Sequence, residues 1–305
     1  DSMRAVKDAA ELSALRRAVE ITAEAHRQIA LGTQAGMFEY EIEAILEGTF
    51  RRLGADRVGF PSIVGSGPNS TVLHYDVNRR RTAPGDLVVV DIGAEYAQYT
   101  ADITRTYPVS GTFTPRQRAL YELVLGANRA VIDSIRPGMA PGRLTGIARA
   151  YLRANSGDLC APRACDAYLN HGVSHHIGMD VHDVGSGFLP LAPGMVITVE
   201  PGVYIPAESL GIRIEDDVLV TPTGREVLSA GAPKTVSSRP AKPNIQAQVI
   251  TMNGELQSFI QNAQRQTAGV AVEAGGGGAQ RGGRRAAQGG DLSTFAPTGY
   301  SPSGS

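Results

Sequence analysis

Two stretches of nine residues are built alike: Ala83–Asp91 reads APGDLVVVD and Ala192–Glu200 reads APGMVITVE. In each, a Pro-Gly pair supplies a turn, and the run rich in β-branched residues behind it has the composition of a buried strand. Each run closes on a carboxylate, Asp91 in one and Glu200 in the other. The pair predicts an internal duplication in which each half delivers one acidic strand end. Pro-Gly ahead of a strand is frequent, so the repeat constrains the fold only together with the residues around it.

Those residues give an α+β pattern. Residues 1–56 read as helical: Leu12, Leu15, Val19, Ala23 and His26 recur at helical spacing, and Phe38, Ile42, Ile45 and Leu46 do so again. Residues 57–230 mix strand-like runs with helices. Leu87–Ile92 is a buried-strand run behind the turn Pro84-Gly85-Asp86. Pro115–Ile135 is a helix stopped at Pro137-Gly138, and a further helix is predicted over Pro141–Ala154. From about Gly231 the periodicity is lost. The glycine run Gly275–Gly278 and an end rich in Ser, Gly and Pro predict a low-complexity, mostly disordered tail over 231–305, behind a folded region at 1–230. The Arg281–Arg285 cluster is too small to argue for RNA binding over a solvated tail.

Composition excludes several classes. With 19 % charged residues and a formal net charge of −1, the chain offers no electrostatic case for nucleic acid or an anionic membrane surface. It has no apolar run of about eighteen residues, so no membrane-spanning helix is expected, and it has no signal-peptide pattern. It opens on Asp1 rather than Met, which fits a processed or cut piece. Its 2 cysteines, Cys160 and Cys165, are too few for a four-thiolate metal site. Their spacing admits a small disulfide in an oxidising compartment and equally two free thiols. A cytoplasmic setting is expected if the thiols are free, an extracytoplasmic one if they pair.

Several acids and histidines carry the chemistry. Asp91 ends one strand, and Asp102 stands in the next strand-like run, Tyr99–Tyr107. The residues between can fold back as a hairpin, setting the two carboxylates side by side. Buried carboxylates repel one another unless a cation neutralises them; solvent-facing acids would need none. His171, His175, His176 and His182 fall within twelve residues of a chain with only 6 His. A lone histidine is usually structural, but a cluster interleaved with Gly172, Gly178 and Asp183 reads as an active site held by turns. Gly172 and Val173 argue against a helical metal pair at His171 and His175. In GIRIEDD, strand alternation puts Arg213 and Glu215 on one face; alone, that is a surface ion pair. Together, Asp91, Asp102, His175, Glu200 and Glu215 supply four carboxylates and one imidazole, a charge match for two divalent cations. So oxygen-rich a set suits Mn2+ or Co2+, with Zn2+ and Fe2+ admitted. Two ions about 3.5–4 Å apart can clamp an attacking and a carbonyl oxygen together.

Five segments, IVGSGPNSTVLHY (63–75), DIGAEYAQYTADITRTYPVSGTFT (91–114), HGVSHHIGMDVHDVG (171–185), EPGVY (200–204) and GIRIEDD (211–217), occur in that order. With them the chain resembles the Xaa-Pro aminopeptidase (aminopeptidase P) family, subfamily B of the M24 metallopeptidases, from about Met3 to Leu228. The resemblance implies a pita-bread fold, two pseudo-symmetric αβ halves around a dinuclear metal site, making 1–230 a catalytic domain. It implies that Asp91 binds one metal, that His175 and Glu200 bind the other, and that Asp102 and Glu215 bridge the two. Manganese is the ion most expected. The implied reaction releases the N-terminal residue from peptides with proline second, by attack of a metal-bridged hydroxide on the Xaa-Pro bond. His74 and His182 match the histidines near the reacting carbonyl, Glu200 the proton carrier, and His171, Tyr204 and Arg213 the residues lining the proline side. The implied partner is a peptide with a penultimate proline, with no nucleic acid and no membrane; a homo-oligomer is admitted, and the oligomeric state is left open. Bacterial relatives carry a metal-free N-terminal domain of similar fold ahead of this region, which here begins at its first helix. His176 stands where relatives often hold a bulky aromatic, and it predicts a change in pocket polarity. Two readings compete: a prolidase restricted to Xaa-Pro dipeptides, sharing the five ligands, and a metal-free binding module on the same fold, whose relatives lose ligands that are all present here.

Overall fold

In the computed structural model, which describes residues 2–185 and 189–234, the chain opens with a helical turn α1 (Ser2–Ala5) and two long helices, α2 (Ala9–Gly32) and α3 (Glu39–Arg52). Asp8 caps α2. Its carboxylate accepts from the N–H groups of Ala10 and Glu11, and the Glu11 carboxylate accepts from the Asp8 N–H. Such a reciprocal cap contributes about 1 kcal/mol. The buried face of α2, with Leu15, Ala18, Val19, Thr22 and His26, keeps the helical period read in the sequence.

The first half adds six strands: β1 (Arg57–Val58), β2 (Ile63–Ser66), β3 (Leu87–Ile92), β4 (Ala94–Tyr96), β5 (Tyr99–Thr100) and β6 (Ile103–Pro108). β2, β3 and β6 form an antiparallel sheet with β3 at its centre. Alternation along β3 sets the direction of its acid. Val88, Val90 and Ile92 share a core with Ile21, Ile29 and Ile42 of the helices, while Leu87 belongs to the core of the second half. Asp91 lies on the Leu87 face, turned toward that second half. β4 and β5 form the hairpin foreseen between Asp91 and Asp102; its turn residues Ala97 and Gln98 have φ of 49° and 69°, as a tight two-residue turn requires. The strand read over Tyr99–Tyr107 is broken, because Ala101 and Asp102 belong to neither β5 nor β6. At the break the Asp102 N–H leaves the ladder and donates to the Asp217 carboxylate at 3.1 Å.

The second half begins with α4 (Pro115–Ser134) and α5 (Arg143–Asn155). Thr114 and Gln117 make a capping box on α4 with a proline in its first turn. Five strands follow: β7 (Val196–Val199), β8 (Gly202–Ile205), β9 (Leu210–Arg213), β10 (Asp216–Thr221) and β11 (Gly224–Val227). β10 lies between β7 and β11 in an antiparallel sheet, and β8 pairs with β9. The halves meet where β6 meets the end of β9. The Arg213 N–H donates to the Thr106 hydroxyl, that hydroxyl donates to the Arg213 C=O, and the Glu215 N–H donates to the Thr104 C=O.

The described residues all fall in one unit, Asp1–Pro243. The folded body runs past 230: the Lys234 ammonium donates to the buried Asp216 carboxylate at 2.6 Å, beside the Arg105 guanidinium. The tail expected over 231–305 otherwise lies outside the described residues. Cys160 and Cys165 are joined as a disulfide, the pairing that their spacing left open. No described helix is long and apolar enough to cross a membrane.

Candidate metal centre

Residues 173–177 run beside β7 as an irregular extra strand. The Thr198 N–H donates to the His175 C=O, the His175 N–H donates to the Thr198 hydroxyl, and the Glu200 N–H donates to the Val173 C=O. This ladder brings His175 and Glu200 together. The His175 Nδ1–H donates to the His176 C=O at 3.0 Å, which fixes the tautomer, since a carbonyl only accepts. The Nε2 lone pair then faces Asp102 Oδ2 at 3.4 Å and Glu200 Oε1 at 3.7 Å. A metal-binding histidine is held in this way, its second nitrogen donating to a backbone carbonyl.

Asp102, His175 and Glu215 each offer one ligand atom, and these atoms lie within 4.8 Å of one another. Asp91 and Glu200 line the same cleft, a cavity of about 280 Å³. Asp91 Oδ2 accepts from Arg213 Nη2 at 2.7 Å, while its Oδ1 is buried without a partner. Glu215 Oε2 accepts from the Thr104 hydroxyl at 2.6 Å, and that hydroxyl accepts from Arg213 Nε at 3.1 Å. Arg213 and Glu215 therefore do face one space, as alternation predicts, with Thr104 between them.

Burial, and after it the repulsion of neighbouring carboxylates, holds the carboxyl groups of Asp102 and Glu215 well above the usual carboxylate range. Burial raises Glu200 to about 8. Carboxyl groups crowded in this way do not all ionise unless a cation joins them. The orphaned Asp91 Oδ1, the aimed His175 Nε2 and the strained carboxyl set all fit a divalent metal. Burial also lowers His171 and His175 to about 4, so both are neutral and can accept at a ring nitrogen.

A second set of side chains forms a hydrogen-bonded chain at one end of the cleft. Arg213 Nη1 donates to the Tyr204 hydroxyl at 3.1 Å, that hydroxyl donates to His171 Nε2 at 2.9 Å, and His171 Nδ1 donates to the Gly172 C=O. His182 stands edge-on to His175, with ring centroids 4.3 Å apart, and 6.5 Å from His74. The ten residues to which the resemblance gives a metal, catalytic or substrate role are thus drawn to one place, nine lining the cleft and Tyr204 behind it.

His176 differs from expectation. Alternation turns its ring away from the cleft and onto Gly185, where an added Cβ would come within 2.1 Å of the imidazole. It gives the cleft no polarity; its contribution is the carbonyl that orients His175.

Sequence reading missed the residues that hold the ligands. Asn128 of α4 donates to the carbonyls of Val199 and Ile214, at 3.1 and 3.3 Å, one residue ahead of Glu200 and of Glu215. It stands among Val124, Val131 and Ile132 on the buried face of α4, and a polar residue in an apolar stripe is a signal the sequence does carry. Glu39 accepts from the Ser66 N–H, the Tyr75 hydroxyl and the Arg80 N–H, pinning the loop that carries His74. Thr104 and Asp217 left no such signal.

Residues 13–222 match the profile of metallopeptidase family M24. The chain is 41 % identical over 254 residues to the Xaa-Pro aminopeptidase of Escherichia coli K12, covering 76 % of this chain and 58 % of that protein. It is 38 % identical over 262 residues to Xaa-Pro aminopeptidase 2 of Streptomyces coelicolor, covering 76 % and 55 %. Among solved structures it resembles Pseudomonas aeruginosa aminopeptidase PepP at a TM-score of 0.75 and 40 % identity, covering 78 % of this chain and 59 % of that one. Zinc-substituted E. coli aminopeptidase P in complex with product aligns at a TM-score of 0.73 with 40 % identity, again covering 78 % and 59 %. The chain thus spans under two thirds of the length of these relatives. Their pita-bread fold is the fold described above.

Proposed function

The chain belongs to metallopeptidase family M24, and from that footing we propose that it is a metal-dependent aminopeptidase releasing the N-terminal residue from peptides with proline second. The observation that carries the proposal is the convergence of Asp102, His175 and Glu215, from both halves of the fold, on one point beside Asp91 and Glu200. The similarity to proteins named Xaa-Pro aminopeptidase supports the substrate class.

Asp91, Asp102, His175, Glu200 and Glu215 would hold two divalent ions, with Mn2+ first and Co2+, Zn2+ and Fe2+ admitted by the donor set. Such ions make water nucleophilic at neutral pH and polarise the scissile carbonyl. This chain's residues do the rest. His171, Tyr204 and Arg213 form one rigid wall and receive the proline ring, so that the Xaa-Pro bond lies over the acids. His182 and His74 donate hydrogen bonds to the carbonyl oxygen as negative charge develops there. Glu200 stands between His175 and His171, 3.7 Å from a nitrogen of each. From there it takes a proton from the attacking water and passes it to the proline nitrogen as the C–N bond breaks. The products are a free amino acid and a peptide with N-terminal proline.

Hydrolysis of Xaa-Pro-Yaa tripeptides by metal-stripped protein, before and after Mn2+ is added back, tests the proposal. Metal-restored release of Xaa is the expected result. Cleavage of Xaa-Pro dipeptides alone would replace it with a prolidase, and a folded protein that takes up no metal would replace it with a binding module.

A further inference from the structure

A second cavity, of about 210 Å³, adjoins the cleft, and the strip formed by His74, Asp91, Asp102 and His182 lines both. Its remaining walls are Phe60, Pro61, Ile63, Val181 and the carboxylate of Asp76. Ile63 is buried at the start of β2, and Phe60 and Val181 are half-buried. Gly93 sets the phenyl wall: a Cβ there would fall 2.8 Å from Phe60 Cε1 and 1.8 Å from the Ala101 C=O, so the ring lies close against the backbone that follows Asp91. Asp76 is exposed and has no hydrogen bond or ion pair with any described residue. Among the described residues, no lysine or arginine lines the cavity.

If the proline ring lies at the His171–Tyr204–Arg213 end and the scissile bond lies over the acids, the side chain of the preceding residue points across the shared strip into this second cavity. We propose that the cavity holds that side chain and that Asp76 makes it selective for arginine or lysine. The methylene stem packs along Phe60, Ile63 and Val181 while the cationic head meets the carboxylate at the mouth, the division of labour usual for long basic side chains. Asp91 and Asp102, committed to the metal, leave Asp76 as the free acid of the cavity.

The inference rests on the aminopeptidase reading, and the test separates the two. We would measure kcat/KM for Arg-Pro-Ala, citrulline-Pro-Ala and Glu-Pro-Ala with the Mn2+-loaded protein and with its Asp76→Asn variant. Citrulline keeps the shape of arginine without its charge. An exposed ion pair predicts an arginine-to-citrulline ratio of about two to five, larger still against glutamate, shrinking with added salt and falling to about one in the variant. Val181→Phe, which narrows the cavity, should lower the ratio of Arg-Pro-Ala to Gly-Pro-Ala turnover. If all peptides are cut and neither variant moves its ratio, the cavity is not the side-chain site. If none is cut, the aminopeptidase reading falls and takes this inference with it.

Discussion

His26→Gln isolates a pH-dependent cost built into the core. His26 is fully buried. Its Nε2–H donates to the Ile103 C=O at 2.9 Å, and its Nδ1 lies 3.1 Å from the Tyr107 hydroxyl. Burial, with the Arg105 charge adding to it, lowers its pKa from 6.5 to about 3. Between those values the unfolded chain binds one more proton than the folded one. The stability is therefore complete above the unfolded pKa of about 6.5 and is lost as pH falls, by about 1.4 kcal/mol per unit, until the folded state also protonates. Acidification from about pH 6.5 to about pH 4.5 then costs roughly 2 kcal/mol through this one residue, against a total stability on the order of 5–15 kcal/mol. Glutamine keeps a donor for Ile103 and does not titrate. Urea melts of metal-stripped wild type and variant across that range should show the wild type losing roughly 2 kcal/mol more than the variant. Parallel curves would show that the ring takes its second proton in place, and the argument would be wrong.

His182→Ala should lower kcat by about two to three orders of magnitude, as removal of an oxyanion donor does elsewhere, with metal content unchanged by elemental analysis; an emptied site would mean that His182 is a ligand. Asp102→Ala takes an oxygen from the three-residue cluster and should strip the protein of metal; full retention of metal would contradict a bridging role. Asn128→Ala leaves two buried carbonyls without their donor and should cost about 1–3 kcal/mol in urea melts. It should also weaken metal uptake in a titration, because both glutamate-bearing strand ends lose their anchor; a loss of stability with metal affinity intact would show that the anchor serves folding alone.

What the sequence disclosed follows from how each residue is constrained. β3 runs over Leu87–Ile92 as predicted, because a β-branched run behind a Pro-Gly turn has few other places to go. α4 begins at Pro115 because a Thr-Pro-x-Gln start is written in local chemistry. Asp102 is legible beside Asp91 although the strand predicted around it is broken, since the hairpin turn at Ala97 and Gln98, not the pairing of Asp102 itself, brings it back toward Asp91. The orientation of His176 was not legible, because residues 171–185 carry no hydrophobic period and their direction is set by hydrogen bonds to β7. Thr104, Asp217 and Glu39 are residue types found on any surface, and only tertiary contact turns them into supports for the ligands.

The charge inventory of the cleft ties these observations together. Among the described residues lining the cleft, Asp91, Asp102, Glu200 and Glu215 face one fixed cation, Arg213, so the ionised set alone carries a net −3. After burial, that imbalance is what raises the carboxyl groups of Asp102 and Glu215 well above the usual carboxylate range. One divalent ion leaves the set at −1, a charge that would repel a developing oxyanion. Two would leave it at +1, and as the carbonyl is attacked the water's proton passes to Glu200 while negative charge gathers on the carbonyl oxygen, so that net charge is kept. Of the three occupancies, only the two-ion state would set a net positive charge beside the oxygen on which negative charge develops. A protein that reached full peptidase activity with a single tightly bound ion, Arg213 unchanged, would break that accounting and require one of the four acids to stay protonated through the reaction.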